Sequence, residues 1–138
     1  MKYEEFQKSF EDESDKIFKQ LSKLDEADLL QLIAEKDEGK YRVWAGKDNY
    51  QVWHVLKTKG TQKSIKPLFE IVRDLKNDYL IRYHACDALF GIAEINDNNF
   101  KGQIQFGLDE NRQVIDREKA FNKLETILNK YFTSAGNE

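Results

Sequence analysis

A chain of 138 residues with one cysteine and a formal charge of −3 has the length of a single domain and enough burial to fold without a disulfide. Cys86 has no partner within the chain, no apolar run approaches a membrane span, and the acidic amphipathic opening Tyr3-Glu4-Glu5-Phe6 is unlike a signal peptide. A reduced, cytoplasmic protein is expected, organised as one helical domain over residues 1–138.

The charge is unevenly spread. Residues 1–38 hold twelve Asp and Glu against six Lys and Arg, a balance of −6, while residues 39–138 hold sixteen Lys and Arg against thirteen Asp and Glu, a balance of +3. An acidic N-terminal part is either a solvated helix face or a surface that steers a basic partner.

In chain order, Tyr3, Phe6, Phe10, Ile17, Leu21 and Leu24 are spaced for an amphipathic helix, and the polar run Glu11-Asp12-Glu13-Ser14-Asp15 marks an expected break. Asp25 is placed as an N-cap, with Asp28 at the third helical position and Leu24 set to staple against Leu29. That helix runs to about Lys36 and stops at the Glu38-Gly39 corner. Tyr41-Arg42-Val43-Trp44 fits a helical turn or a strand. A further helix is expected from Asp48 to Lys59, carrying Val52, Trp53, Val55 and Leu56, and closed by Gly60-Thr61.

Residues 64–92 carry the clearest pattern. Ile65, Leu68, Val72 and Leu75 form one apolar stripe, with Pro67 in the first turn where its missing N–H costs little. After the polar corner Lys76-Asn77-Asp78, Ile81, Ala85, Ala88, Leu89 and Ile92 line one face of a second helix, and a corner this short makes the two antiparallel neighbours. Tyr79, Tyr83, Cys86 and Phe90 fall on the opposite side, so this helix is apolar twice over and must be covered twice. Either the domain itself covers the aromatic side, or Tyr83, Asp87 and Phe90 face a partner.

The Ile-Lys-Pro-Leu-Phe-Glu-Ile-Val-Arg-Asp run resembles the first helix of a HEAT-like repeat, and Asp78 followed by Ile81-Arg82, Ala85, Ala88-Leu89 and Ile92 resembles the second. The resemblance centres on about thirty residues within the helical stretch 48–95. It implies a stack of antiparallel helix pairs, an α-α superhelix, in which Arg82 is structural and the second helices meet partners. Tyr83, His84 and Phe90 depart from the small or polar residues usual at those positions.

Beyond Ile95 the pattern changes. Asn96-Asp97-Asn98-Asn99 reads as a turn, and Gln103 to Leu108 alternates polar and apolar residues, which predicts a strand. With Asp109-Glu110-Asn111-Arg112 as the turn and Gln113-Val114-Ile115 returning, a small β-hairpin is expected over residues 102–115. Asp116 caps a last helix over 117–132, with Phe121, Leu124, Leu128 and Tyr131 as its stripe and residues 133–138 as a frayed tail.

Signals for chemistry are few. His84 and Asp87 have helical spacing, which an ordinary surface or packing hydrogen bond explains better than a general base does. Cys86 reads as a small buried thiol. Asp97, Asn99, Gly102 and Ile104 match positions of a calcium loop, but Lys101 and Leu108 stand where ligands are required, so no metal is expected. Lys57, Lys59, Lys63 and Lys66 cluster near a corner and would give salt-sensitive phosphate contacts, yet the acidic chain makes nucleic acid a poor partner.

The expected molecule is therefore mainly α: an antiparallel helix-pair stack with one C-terminal β-hairpin, working as a protein-binding module with no catalytic residue, metal or cofactor. Size, acidity and the lack of catalytic motifs resemble those of bacterial immunity proteins, which implies neutralisation of a basic toxin or nuclease domain by occlusion. The partner-binding residues expected for such a role are Glu11, Asp12, Glu13, Asp15, Glu35, Asp37 and Glu38, or the Tyr83, Asp87 and Phe90 face. The alternatives are a small-ligand pocket lined by Trp44, Trp53 and Tyr83, as in a bilin-lyase-like HEAT protein, and a scaffold subunit of a larger complex.

Overall fold

Four helices in this chain begin where a preceding aspartate takes an otherwise free amide, the last of them capped by Asp116, which accepts from the Lys119 amide at 3.2 Å. Asp25 Oδ1 accepts from the Asp28 amide at 2.9 Å, Asp78 Oδ2 from the Leu80 amide at 3.1 Å, and Asp97 Oδ1 from the Phe100 amide at 3.0 Å. The computed structural model describes residues 2–34 and 50–136. Among these the elements are α1 (Tyr3–Ser22), α2 (Glu26–Ala34), α3 (Gln51–Lys59), a 3-10 turn (Gln62–Ser64), α4 (Ile65–Arg73), α5 (Tyr79–Ile92), α6 (Asn98–Phe106) and α7 (Arg117–Gly136). The chain is mainly helical, and no helix among the described residues is long and apolar enough to cross a membrane.

The chain divides into two compact units, Met1–Lys59 and Gly60–Glu138. In the first, α3 packs against α1 and α2, and Ile17, Leu21, Leu29, Ile33, Val52, Trp53, Val55 and Leu56 are buried. The break expected at residues 11–15 does not occur: α1 runs unbroken from Tyr3 to Ser22. No Gly or Pro interrupts it, and a polar stretch can remain helical on a solvated face. Lys59 closes the unit by donating Nζ to the Ser22 carbonyl at 2.8 Å and to the Leu24 carbonyl, satisfying acceptors that the end of α1 leaves free. The corner at 38–39 and the segment 41–44 lie outside the described residues.

In the second unit α4 and α5 form the most extensive helix contact. Ile65, Leu68, Phe69 and Val72 of α4 and Ile81, Ala85, Ala88 and Leu89 of α5 are all buried. Leu75, expected in the stripe, is 55% exposed because the helix ends at Arg73 and Asp74 turns to an extended conformation. Asn77 Nδ2 donates to the Ile71 carbonyl at 3.1 Å and Arg82 Nε donates to the Asn77 carbonyl at 3.1 Å, so the corner is tied from both sides.

The largest departure is at residues 98–108. The strand expected over Gln103–Leu108 is helical from Gln103 to Phe106, where α6 ends, and the Asn-Asp cluster before it is a helix start rather than a turn. Phe100 and Ile104, four apart, are both buried, and Gly107 with φ 71 ends the helix in the left-handed conformation that glycine accepts. Of the hairpin there remains one antiparallel bridge, Leu108 to Val114, and no sheet occurs among the described residues. Asp109 holds the loop by accepting from the Asn111 amide at 2.8 Å and the Gln113 amide at 2.9 Å. The last helix continues to Gly136 where a frayed tail was expected. It buries Ala120, Phe121, Leu124 and Leu128, and Phe132 meets Phe69 of α4 at 5.6 Å between ring centres.

Candidate functional site

The aromatic side of α5 is where the sequence posed its sharpest alternative, and α6 covers most of it. Phe90 meets Phe100 at 5.8 Å, Lys101 pairs with Asp87, Gln105 Nε2 donates to the Tyr83 carbonyl at 3.1 Å, and Phe106 meets Tyr83 at 5.9 Å. As the position on α5 falls from 90 to 83, its partner on α6 rises from 100 to 106, so the two helices are antiparallel and in register. Phe90 is 2% exposed and gives a partner no surface. Asp87 and Lys101 are each 24% exposed, and their pair joins the two helices. His84 stands edge-on to the Tyr83 ring, 5.1 Å between centres. Cys86 is fully buried, and burial pushes its thiol from 9.0 up to about 12, which leaves no nucleophilic thiolate at neutral pH.

At the open end of this seam the cover is incomplete. Tyr79 lies 6.4 Å from Tyr83 and 6.2 Å from Phe106, so three rings meet in mutually tilted contact. Tyr79 is 43% exposed and Phe106 46%, and Leu80, next along α5, is also exposed. The tilts, near 40–48°, are those of rings that pack without stacking flat. An apolar patch fixed on the ends of two helices is preorganised for contact, which lowers the entropic cost of binding.

Beside the rings stand Arg82 and Arg117. The Arg117 guanidinium lies against Gly107, where a Cβ would sit 2.7 Å from its Nη2, and its buried Nε has no hydrogen-bond partner. Its pKa is lowered by burial first, then by the Arg82 charge, with Tyr79 offsetting part. The group remains a cation throughout the ordinary pH range.

Of the expected partner-binding residues, Tyr83 contributes to this patch. Asp15 is exposed on α1, Glu11, Asp12 and Glu13 belong to the same helix, and Glu35, Asp37 and Glu38 lie outside the described residues. Of the expected aromatic pocket, Trp53 is buried in the first unit and Trp44 lies outside the described residues. A separate cavity of about 470 Å³ is lined by Gln103, Ile115, Asp116, Lys119, Ala120 and Lys123. Tyr79 was read from the sequence only as part of an apolar side, while Phe106 and Arg117 were missed. Their meeting depends on the ends of three helices, which local spacing does not encode.

Among the described residues no group of three or more His, Cys, Asp or Glu side chains is arranged to hold a metal ion. Comparison with protein-family models, curated proteins and solved structures finds no match to this chain.

Proposed function

We propose that this chain is a protein-binding module that acts by contact, with Tyr79, Leu80, Tyr83 and Phe106 as the apolar centre of its binding surface. The observation that carries this reading is the exposed three-ring cluster at the open end of the α5–α6 seam. Aromatic anchors held rigid on helices are the usual energetic centres of protein interfaces. The α4–α5 pair, similar to a HEAT-like repeat, would serve as the scaffold that holds the cluster in place. Neutralisation of a toxin, in the manner of an immunity protein, is one role such a module would fill by covering the partner's working surface.

Capture from a lysate of the source cells tests this. The wild-type chain should retain a stoichiometric protein that the Tyr79→Ala/Phe106→Ala variant, still folded by circular dichroism, releases at least tenfold more readily. Equal retention by both would remove the cluster from the interface. A second reading, a small-ligand site, draws on the cavity lined by Gln103, Ile115, Lys119 and Lys123. It predicts that metabolites perturb Ile115 and Lys123 resonances while leaving those of Tyr79 unchanged.

A further inference from the structure

The three-ring cluster has two uncompensated cations at its edge. Arg117 occupies the first position of α7 and Arg82 lies in the first turns of α5, so both guanidiniums sit at helix ends that already carry partial positive charge. The carboxylates near them in sequence are engaged elsewhere: Asp78 accepts from the Leu80 amide at 3.1 Å, Asp116 from the Lys119 amide at 3.2 Å, and Glu118 pairs with Arg73 at 3.8 Å. Among the described residues no carboxylate pairs with either arginine. Packing against Gly107 holds Arg117 in place, and a backbone bond to the Asn77 carbonyl holds Arg82. The Arg82 charge adds to burial in lowering the Arg117 pKa, and an anion beside the two guanidiniums would relieve that repulsion.

We infer that Arg82 and Arg117 recognise a carboxylate on a peptide segment of the partner, whose neighbouring apolar side chain rests on Tyr79, Tyr83 and Phe106. This rests on the protein-binding reading of the cluster and names the chemistry of its partner. A planar guanidinium matches a carboxylate through two parallel hydrogen bonds, and the adjoining rings supply the apolar contact that a free anion would leave unused. The patch is an exposed surface on helix ends, a shape suited to a chain segment running across it. The recognised segment is thus acidic and apolar in alternation, although the chain as a whole is acidic.

The test uses the full chain, labelled for NMR, and two acetylated and amidated pentapeptides. One alternates leucine with glutamate, and the other has glutamine in place of glutamate. The glutamate peptide should shift the Arg82 and Arg117 Nε–H signals and the Tyr79 and Tyr83 rings, and bind about tenfold or more tighter than the glutamine peptide. Arg117→Gln should erase that preference. Because Arg117→Gln disturbs packing at Gly107, raising the salt concentration on the wild-type chain provides a second readout, in which the preference shrinks.

Equal binding of the two peptides would overturn the carboxylate assignment and leave the aromatic cluster as a contact surface. Failure of both to shift any ring or arginine signal would overturn this inference, while the lysate capture with the Tyr79→Ala/Phe106→Ala variant would decide the broader reading separately. Inorganic phosphate shifting the arginine signals where the glutamate peptide does not would show a free-anion site and overturn the peptide assignment.

Discussion

Gly107 and Arg117 are in direct contact: a methyl group added to Gly107 would lie 2.7 Å from Arg117 Nη2. The same glycine has φ 71, so it ends α6 and makes room for the guanidinium at once. Gly107→Ala should therefore cost about 1–2 kcal/mol, part from the left-handed backbone and part from displacing the arginine. Urea unfolding of Gly107→Ala, Arg117→Ala and the double variant checks this. Arg117→Ala should remove the steric part only, so the double variant should be more stable than the sum of the single effects predicts.

Replacing Phe90 and Tyr79 separates core from surface on one helix. Phe90 is 2% exposed and packed on Phe100, so Phe90→Ala should cost about 3–5 kcal/mol. Tyr79 is 43% exposed, and Tyr79→Ala should cost about 1 kcal/mol or less. Thermal or chemical denaturation of the two variants gives the comparison directly. Similar losses for both would mean that Tyr79 belongs to the core.

The Asp87–Lys101 pair is three-quarters buried, with each side chain 24% exposed, and it spans α5 and α6. Asp87→Asn or Lys101→Met alone should cost about 2–3 kcal/mol, because each leaves a partly buried charge without its counter-charge. Asp87→Leu with Lys101→Met should cost less than either single change. A double-mutant cycle by urea unfolding measures the coupling.

Burial of Cys86 has a pH consequence. The thiol ionises at 9.0 ordinarily and at about 12 in the folded chain, so above pH 9 the unfolded chain releases its proton while the folded chain keeps it. This contribution to stability is complete below pH 9 and is lost progressively towards about 12. The slope of unfolding free energy against pH in that window should flatten in Cys86→Ala. The native thiol should also resist iodoacetamide at neutral pH and react only on unfolding.

The α4–α5 pair was legible because both helices bury one continuous face and Asp78 marks the start of the second with a standard cap. Segment 103–108 was misread for a specific reason. Ile104, Phe106 and Leu108 alternate, but Phe100 and Ile104 also repeat at helical spacing, and Asp97 acts as a cap that a turn-rich Asn-Asp cluster disguises. Gly107 was the available signal for a helix ending there. The polar middle of α1 misled in the opposite direction, since polarity alone does not break a helix that lacks Gly and Pro. The candidate surface was less legible than the fold. Tyr83 was identified, but Phe90 and Asp87 are engaged by α6, and the Tyr79, Phe106 and Arg117 constellation exists only once three helix ends converge.

The most direct test of the central claim is photo-crosslinking in the source cells, with benzoylphenylalanine at position 80 or position 66. Leu80 lies beside Tyr79 on α5, whereas Lys66 is exposed at the start of α4, which the antiparallel packing puts at the far end of that helix pair. A single protein adduct from position 80, absent from position 66 and abolished by Phe106→Ala, is the predicted result. Adducts of equal yield from both positions, or an adduct at position 80 that survives Phe106→Ala, would contradict the account.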